Sequence, residues 1–292
     1  MKEYKTEKIK MHDLNELTLI TFVKLDNEAR IKNLKSMVNY YRNHCENYQH
    51  IIVEEDEKPV VPEHLHISTD MLYVFTKNDG EWRKCEGYNK GIKLAKTQYV
   101  TFNDVDVIIN PLQLLEGVDK LKTPNAGLIY PFNGLFLCVS DEIKDNFCTT
   151  LDYNELDKHF PPLVETYDGV DASSAYVHAN KTENDILIGH VNSTGGCVMG
   201  RRDTLLKCNG YNPNFVGWGY EDDEIPWRIN KLGFPCGRIS GTKKPAWHLP
   251  HFDGTGSKKE TQSNYSTNEQ LYFKIRNMGR DELTQYTHSW RM

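Results

Sequence analysis

Apolar positions in the first third of the chain fall into short runs separated by polar stretches of helical period. Leu17-Thr18-Leu19-Ile20-Thr21-Phe22-Val23 is compact, apolar and rich in β-branched residues, which predicts a buried strand. Residues 26–38 follow, with Ile31, Leu34 and Val38 spaced as one helical face and acids near the start, where the helix dipole favours them. His50-Ile51-Ile52-Val53 predicts a second strand that ends in Glu54-Glu55-Asp56. Gly87 to Lys96 predicts another helix, and Tyr99-Val100-Thr101-Phe102 a third strand. This strand–helix–strand alternation predicts an α/β fold with a Rossmann-like, mostly parallel central sheet flanked by helices. Ligands of such sheets bind beyond the carboxyl ends of the strands, where both acidic clusters, 54–56 and 104–106, are expected.

The pattern loosens further on. Segments 128–132 and 134–139 predict strands, and 141–190 gives no clear assignment. Gly195-Gly196-Cys197-Val198-Met199-Gly200 predicts a strand entered through a glycine pair, and Arg202 to Lys207 a short helix. After Gly254 the polar run Thr255-Gly256-Ser257-Lys258-Lys259 predicts a mobile loop. Ser266-Thr267-Asn268-Glu269 fits a capping box opening a last helix through about Met278.

Bulk composition narrows the class. Lys and Arg number 35 against 41 Asp and Glu, a net charge of −6, which argues against a general nucleic-acid binder but leaves room for a local basic groove. The first ten residues are charged and resemble no signal peptide, and no run approaches the ~20 apolar residues that span a bilayer. The seven cysteines are widely spaced without a C-x-x-C pair, so reduced thiols and a cytoplasmic protein are expected.

Three constellations carry chemistry. Asp104-Val105-Asp106 directly follows a predicted strand, and a turn there can aim both carboxylates at one point, a favourable setting for Mg²⁺ or Mn²⁺ holding phosphate oxygens. The bland alternative is an exposed strand-end turn. Glu221-Asp222-Asp223-Glu224 follows Phe215-Val216-Gly217-Trp218-Gly219-Tyr220, and four adjacent acids repel unless solvated or engaged. They read either as a first helical turn facing the dipole or as a carboxylate base beside an acceptor hydroxyl, with Trp218 a flat platform for a sugar. In Trp247-His248-Leu249-Pro250-His251, two histidines three apart are candidates for metal or phosphate contact.

In this order the three pieces resemble the GT-A fold glycosyltransferases, especially the β-1,4-galactosyltransferase family and its bacterial relatives. Gly195-Gly196, Asn209-Gly210, Phe215 to Glu224 and Arg228 are similar to that family's pattern G-G … N-G … F-x-G-W-G-x-E-D-D-[DE] … R. The N-terminal half resembles the inverting family-two transferases, through Val23 … Asn27-Glu28-Ala29-Arg30 … Asn33-Leu34, then Tyr88-Asn89-Lys90-Gly91-Ile92 … Ala95-Lys96, then the D-x-D. The resemblance covers most of residues 17–253. It implies one GT-A domain over 1–292: a nucleotide-sugar half at about 17–110, an acceptor half at about 111–253, and a loop and C-terminal helix over 254–292.

The resemblance also implies roles. Asp104 and Asp106 would form the D-x-D, with at least Asp106 on a Mn²⁺ or Mg²⁺ that bridges the diphosphate of a UDP-sugar donor. His248 stands where the family places a metal ligand, His251 departs from the usual H-x-H spacing, and the choice between them stays open. Asp222 would be the general base. Glu221 and Asp223 would hold sugar hydroxyls, Trp218 and Gly219 would line the sugar, and Gly195 and Gly196 would let backbone approach the donor. Arg30, Glu54, Asp56, Asn89, Lys90 and Asp104 are the nucleotide-pocket candidates. The reaction implied is inverting transfer of a hexose or N-acetylhexosamine to a glycan or another hydroxyl acceptor. Golgi members carry a membrane anchor and disulfides; neither is legible here, so a soluble bacterial or viral enzyme is expected. A pyrophosphorylase would need a Gly-rich basic loop where Val23-Lys24-Leu25-Asp26-Asn27 stands. An inactive carbohydrate-binding relative fits poorly with four intact aspartates. Glycosylation of a modified base in phage DNA would need a basic stripe, for which Lys243-Lys244 and Lys258-Lys259 are the compact pairs near the motifs.

Overall fold

The structure is a computed structural model and describes residues 11–66, 71–78, 80–169, 181–183, 186–190, 192–251 and 264–292. Its strands are β1 (His12–Asp13), β2 (Leu17–Val23), β3 (Cys45–Glu46), β4 (Gln49–Asp56), β5 (Met71–Lys77), β6 (Tyr99–Asn103), β7 (Val107–Ile108), β8 (Leu128–Tyr130), β9 (Phe136–Val139), β10 (Lys181–Glu183), β11 (Ile186–His190), β12 (Cys197–Arg201), β13 (Gly237–Arg238) and β14 (Ala246–His248). Seven of them form the large sheet in the order β13-β8-β12-β6-β2-β4-β5. Its β6-β2-β4-β5 half is parallel, and β12 runs antiparallel between β6 and β8. A smaller sheet has the order β10-β11-β9-β14-β7.

Every residue of β2 is buried, as a continuous apolar run at the middle of a sheet covered on both faces requires. The helix Glu28–His44 is capped by Asn27, whose side chain accepts from the Arg30 amide at 2.9 Å. The helix Lys84–Leu94 lies so close to β2 that a Cβ on Gly87 would stand 2.1 Å from the Phe22 ring, and one on Gly91 2.3 Å from Ile20. Only glycine permits that approach, which gives the N-x-G pattern of this helix a packing reason.

The chain leaves the large sheet at Asn103 and enters the small one at Val107. Asp104, Val105 and Asp106 are therefore the corner between two sheets, closed by the Val107 amide donating to the Asp104 carbonyl at 3.1 Å.

Several expectations are corrected. The acids 54–56 are the last three residues of β4 itself, and Glu54 and Glu55 are buried. The edge strand β5 and the helix Asp141–Thr150, capped by Ser140, were not among the expected elements. The capping box at 266–269 is not formed: the helix Tyr265–Arg276 has Asn264 at its cap without a side-chain bond, and Glu269 instead accepts from the Tyr220 hydroxyl at 2.6 Å. A second helix, Arg280–Thr287, follows. The loop expected from 254 to 259 lies outside the described residues. All seven cysteines are free, four of them buried. Among the described residues no helix is long and apolar enough to cross a membrane.

Candidate active site

Two clusters of side chains sit on either side of the 104–106 corner. In the first, Asp106, His248 and His251 bring one ligand atom each within 4.8 Å of one another. Asp106 Oδ2 lies 3.0 Å from His251 Nε2 and 3.8 Å from His248 Nε2. Strand pairing produces this: β14 runs antiparallel to β7 with His248 opposite Val107, and the Leu249 amide donates to the Asp106 carbonyl at 2.8 Å. The turn after His248 is tied down from below. Buried Asn33 donates to the Leu249 carbonyl at 3.2 Å, Lys144 to that of Pro250 at 3.0 Å, and Asn27 to that of His251 at 3.3 Å. Burial pushes the Asp106 carboxyl up, but the two imidazoles outweigh it and hold it well below the usual range. Burial likewise lowers His248, and the Asp106 carboxylate prevails, pushing it up to about 10. Both histidines thus face the same aspartate. Asp104 does not join them: among the described residues the metal-capable group is Asp106, His248 and His251.

The second cluster surrounds a residue that sequence reasoning missed. Lys84 is buried, and its Nζ lies 3.1 Å from Asp222 Oδ2, 3.5 Å from Glu221 Oε1 and 3.5 Å from Asp104 Oδ1. The signal was faint but physical, for a lysine at the first position of a helix opposes the dipole and needs a compensating reason. Asp104 also accepts from the Tyr88 hydroxyl at 2.8 Å, and Glu221 Oε2 accepts from the Gly219 amide at 3.0 Å. Thr194 donates to Asp223 at 2.8 Å. Burial pushes the Asp222 carboxyl up to about 7; Lys84 opposes the shift, while Glu221 and Asp104 add to it. The same carboxylates outweigh burial at Lys84 and keep its ammonium charged.

The glycine pair sets the spacing between clusters. Gly196 has φ +88°, its carbonyl accepts from the Asp104 amide at 2.9 Å, and a Cβ there would stand 2.5 Å from the Phe136 ring. A Cβ on Gly195 would stand 3.0 Å from Asp222 Oδ2. A small cavity among Lys84, Tyr88, Asp104, Thr194, Gly196 and Asp222 opens between them. Trp218 is 50% exposed and stacks on Tyr265 at 5.5 Å between centroids, so one ring face is supported.

The nucleotide-pocket candidates divide. Arg30 lies 5.7 Å over the Trp82 ring, which stacks on Phe22, at the start of the helix that touches His251. Four others have local partners. Glu54 accepts from the Val60 and Val61 amides at 2.7 and 3.2 Å and from the Tyr73 hydroxyl. Asp56 accepts from the Glu57 amide at 2.8 Å. Asn89 clamps the backbone of Tyr211 with two bonds of 2.8 Å. Lys90 pairs with buried Glu55 at 3.0 Å. Glu54, Asn89 and Lys90 thus each have protein partners that tie them into the fold.

A family model described as glycosyl transferase family 2 matches residues 27–206. The chain belongs to that family. A second model, described as the N-terminal domain of galactosyltransferase, matches residues 178–252, which hold the glycine pair, the four acids and both histidines. Among curated proteins, this family-2 chain is 24% identical to chondroitin synthase of Escherichia coli over 205 residues, covering 64% of this chain and 28% of that one. It is 28% identical to mouse β-1,4-galactosyltransferase 7 over 114 residues, covering 39% of this chain and 35% of that one. The matched segments thus span about a third of those relatives' length or less. Two solved structures share the fold. One is a mutant of Drosophila β1,4-galactosyltransferase 7 in complex with manganese, UDP-Gal and xylobiose, with a TM-score of 0.50, 15% identity and coverage of 93% and 84% of the two chains. The other is a mannosyltransferase of Pyrobaculum calidifontis with GDP-Man and Mn²⁺, with a TM-score of 0.51, 11% identity and coverage of 94% and 68%. The GT-A architecture expected from the sequence is the one they share.

Proposed function

We propose that this chain is an inverting, metal-dependent glycosyltransferase that moves a hexose or N-acetylhexosamine from a UDP-sugar to a hydroxyl of a glycan or similar acceptor. The observation that carries the reading is the adjacency of two chemistries across one corner: a carboxylate–imidazole triad on one side, and a buried carboxylate cluster beside an exposed tryptophan on the other.

The donor set of Asp106, His248 and His251 fits Mn²⁺ better than Mg²⁺, because imidazole suits the transition ions while Mg²⁺ prefers oxygen alone. Those three side chains would hold the ion, and a donor diphosphate would supply it with further oxygen ligands. A cation held there would neutralise the charge that builds on the departing nucleoside diphosphate. Arg30, in the first turn of the helix Glu28–His44, and Trp82, whose ring it covers, would line the nucleoside end.

On the opposite side Asp222 takes the acceptor proton. Its side chain keeps 25% exposure, so it reaches the cleft, and a carboxyl near 7 is matched to proton transfer at neutral pH. The acceptor O–H bond breaks toward Asp222 as the oxygen bonds the anomeric carbon. The bond from that carbon to the phosphate oxygen breaks in the same displacement, its electron pair leaving with the nucleotide. One displacement inverts the anomeric centre. Trp218 presents a face to the sugar's C–H surface, while Glu221 and Asp223 flank the base.

Calorimetric titration with UDP, GDP and a panel of UDP-sugars, with Mn²⁺ and with chelator, tests the reading. UDP binding that requires Mn²⁺ is the expected result. No binding of any nucleotide in the presence of metal would overturn the donor assignment.

A further inference from the structure

We propose that Lys84 is the positioning residue of this site, holding the Asp222 carboxylate at the mouth of the cleft in its proton-accepting form. The inference rests on the transferase reading above and assigns a task to a residue outside its motifs. Lys84 opens the helix Lys84–Leu94, where the dipole repels a cation, and its side chain is only 7% exposed. A buried ammonium persists only when paired, and three carboxylates lie within 3.5 Å.

The three are not equivalent. Asp104 is also held by the Tyr88 hydroxyl, and Glu221 by the Gly219 amide. The side-chain hydrogen bonds to Asp222 among the described residues both come from Lys84, at 3.1 Å to Oδ2 and 3.3 Å to Oδ1. Gly195 keeps the facing space open. Lys84 therefore fixes the orientation of the base, while Asp104 and Glu221 serve mainly to hold Lys84 in place.

The titratable groups that act on Asp222 are Glu221 on its own helix, Asp104 after β6, Tyr130 on β8, Tyr211 in the turn after residue 208, and Lys84 and Cys85 at the start of the helix Lys84–Leu94, the Cys85 thiol being pushed well up by burial. Burial pushes both tyrosine hydroxyls well up, so they stay neutral in the working range. Lys84 is the cation of this set. Without it, burial and neighbouring carboxylates all favour the protonated acid.

The experiment is the pH profile of kcat/KM for wild type, Lys84→Met, Lys84→Arg and Glu221→Gln, with Mn²⁺, UDP-sugar and acceptor, alongside UDP–Mn²⁺ calorimetry and thermal unfolding. Lys84→Met should move the acid limb up by about one pH unit or more, leaving about a tenth of its plateau one unit below the new midpoint. UDP affinity should stay within about threefold, because the loss belongs to the chemical step. Lys84→Arg should bring the limb back toward wild type, and Glu221→Gln, which removes a competing charge, should move it down. An unmoved limb in Lys84→Met, or a uniform loss at all pH that arginine does not rescue, overturns the proposal. Should Lys84→Met fail to fold, an unmoved limb in Glu221→Gln overturns it alone. A wild type that transfers from no donor sinks the transferase reading and this proposal with it, whereas wild-type transfer with an unmoved limb sinks only the role of Lys84.

Discussion

Replacing Arg228 by Met should cost more stability than any other single change in the helix Glu221–Lys231, and a second substitution should restore most of it. Arg228 is fully buried and engages Glu224 through two bonds, Nε to Oε1 at 2.6 Å and Nη2 to Oε2 at 3.2 Å. It also donates to the Cys208 and Gly210 carbonyls at 2.7 Å each, and its guanidinium lies 5.4 Å from the Trp290 ring centroid. Methionine leaves the Glu224 carboxylate, 1% exposed, without its cation, and breaking a buried pair costs about 3–5 kcal/mol. Two carbonyls lose donors at about 1 kcal/mol each, so a total of roughly 4–6 kcal/mol is expected once partial relaxation is allowed. In a chain of this length that is roughly 10–20 °C in unfolding midpoint. The double change Glu224→Leu with Arg228→Met removes both charges and leaves only the carbonyls, so roughly 1–3 kcal/mol should remain lost. Urea unfolding followed by circular dichroism reads all three proteins. If single and double variants lose the same stability, the pair is not what holds this helix to the 208–210 turn.

Asp222→Asn should keep Mn²⁺-dependent UDP binding and lower transfer by about 10²–10⁴-fold, and substantial residual turnover would remove it from the role of base. In the wild type the rate should fall as pH drops below about 7, because protonating Asp222 removes the acceptor of the proton. His251→Ala should weaken Mn²⁺ by at least 10–100-fold in a competition titration, since losing a ligand exceeds the loss of an outer-shell partner; unchanged affinity would leave Asp106 and His248 as the site. Gly196→Ala combines φ +88° with a Cβ 2.5 Å from Phe136, so a loss of about 1–3 kcal/mol and of transfer is expected, and a wild-type midpoint would refute the strain.

The parallel half of the sheet was legible because β2, β4 and β6 are largely buried and each carries a compact, mainly apolar stretch, shortest in β4 as Ile51-Ile52-Val53. The edge strand β5 carries an apolar run as well, Met71-Leu72-Tyr73-Val74-Phe75, although its residues are only partly buried. The small sheet was illegible: β7 and β14 have two and three residues, too few for any period, and their pairing joins positions about 140 residues apart. That pairing is what brings His248 and His251 to Asp106. Adjacent sequence therefore suggested the ligands but could not choose among them, and the choice it posed between two histidines was between residues that the fold brings to one point. At Asn89 and Lys90 the helix motif is also a packing motif, with Asn89 bonded to the Tyr211 backbone and Lys90 to Glu55.

The run of four acids shows most directly how the fold resolves what sequence leaves ambiguous. Spacing along a helix points residues i, i+1, i+2 and i+3 in four directions, so adjacent charges need not share one environment. Glu221 turns toward Lys84 and the Gly219 amide, Asp222 toward Lys84 and the cleft, Asp223 toward Thr194, and Glu224 toward Arg228. A solvated acidic start to a helix would leave all four exposed; here Glu221 and Glu224 are 5% and 1% exposed. Burial and the Glu221 and Asp104 carboxylates push Asp222 up to about 7 against the pull of Lys84, and its side chain keeps 25% exposure where Glu221 and Glu224 are enclosed. That division is the physical ground on which Asp222, rather than the run as a whole, is proposed as the base.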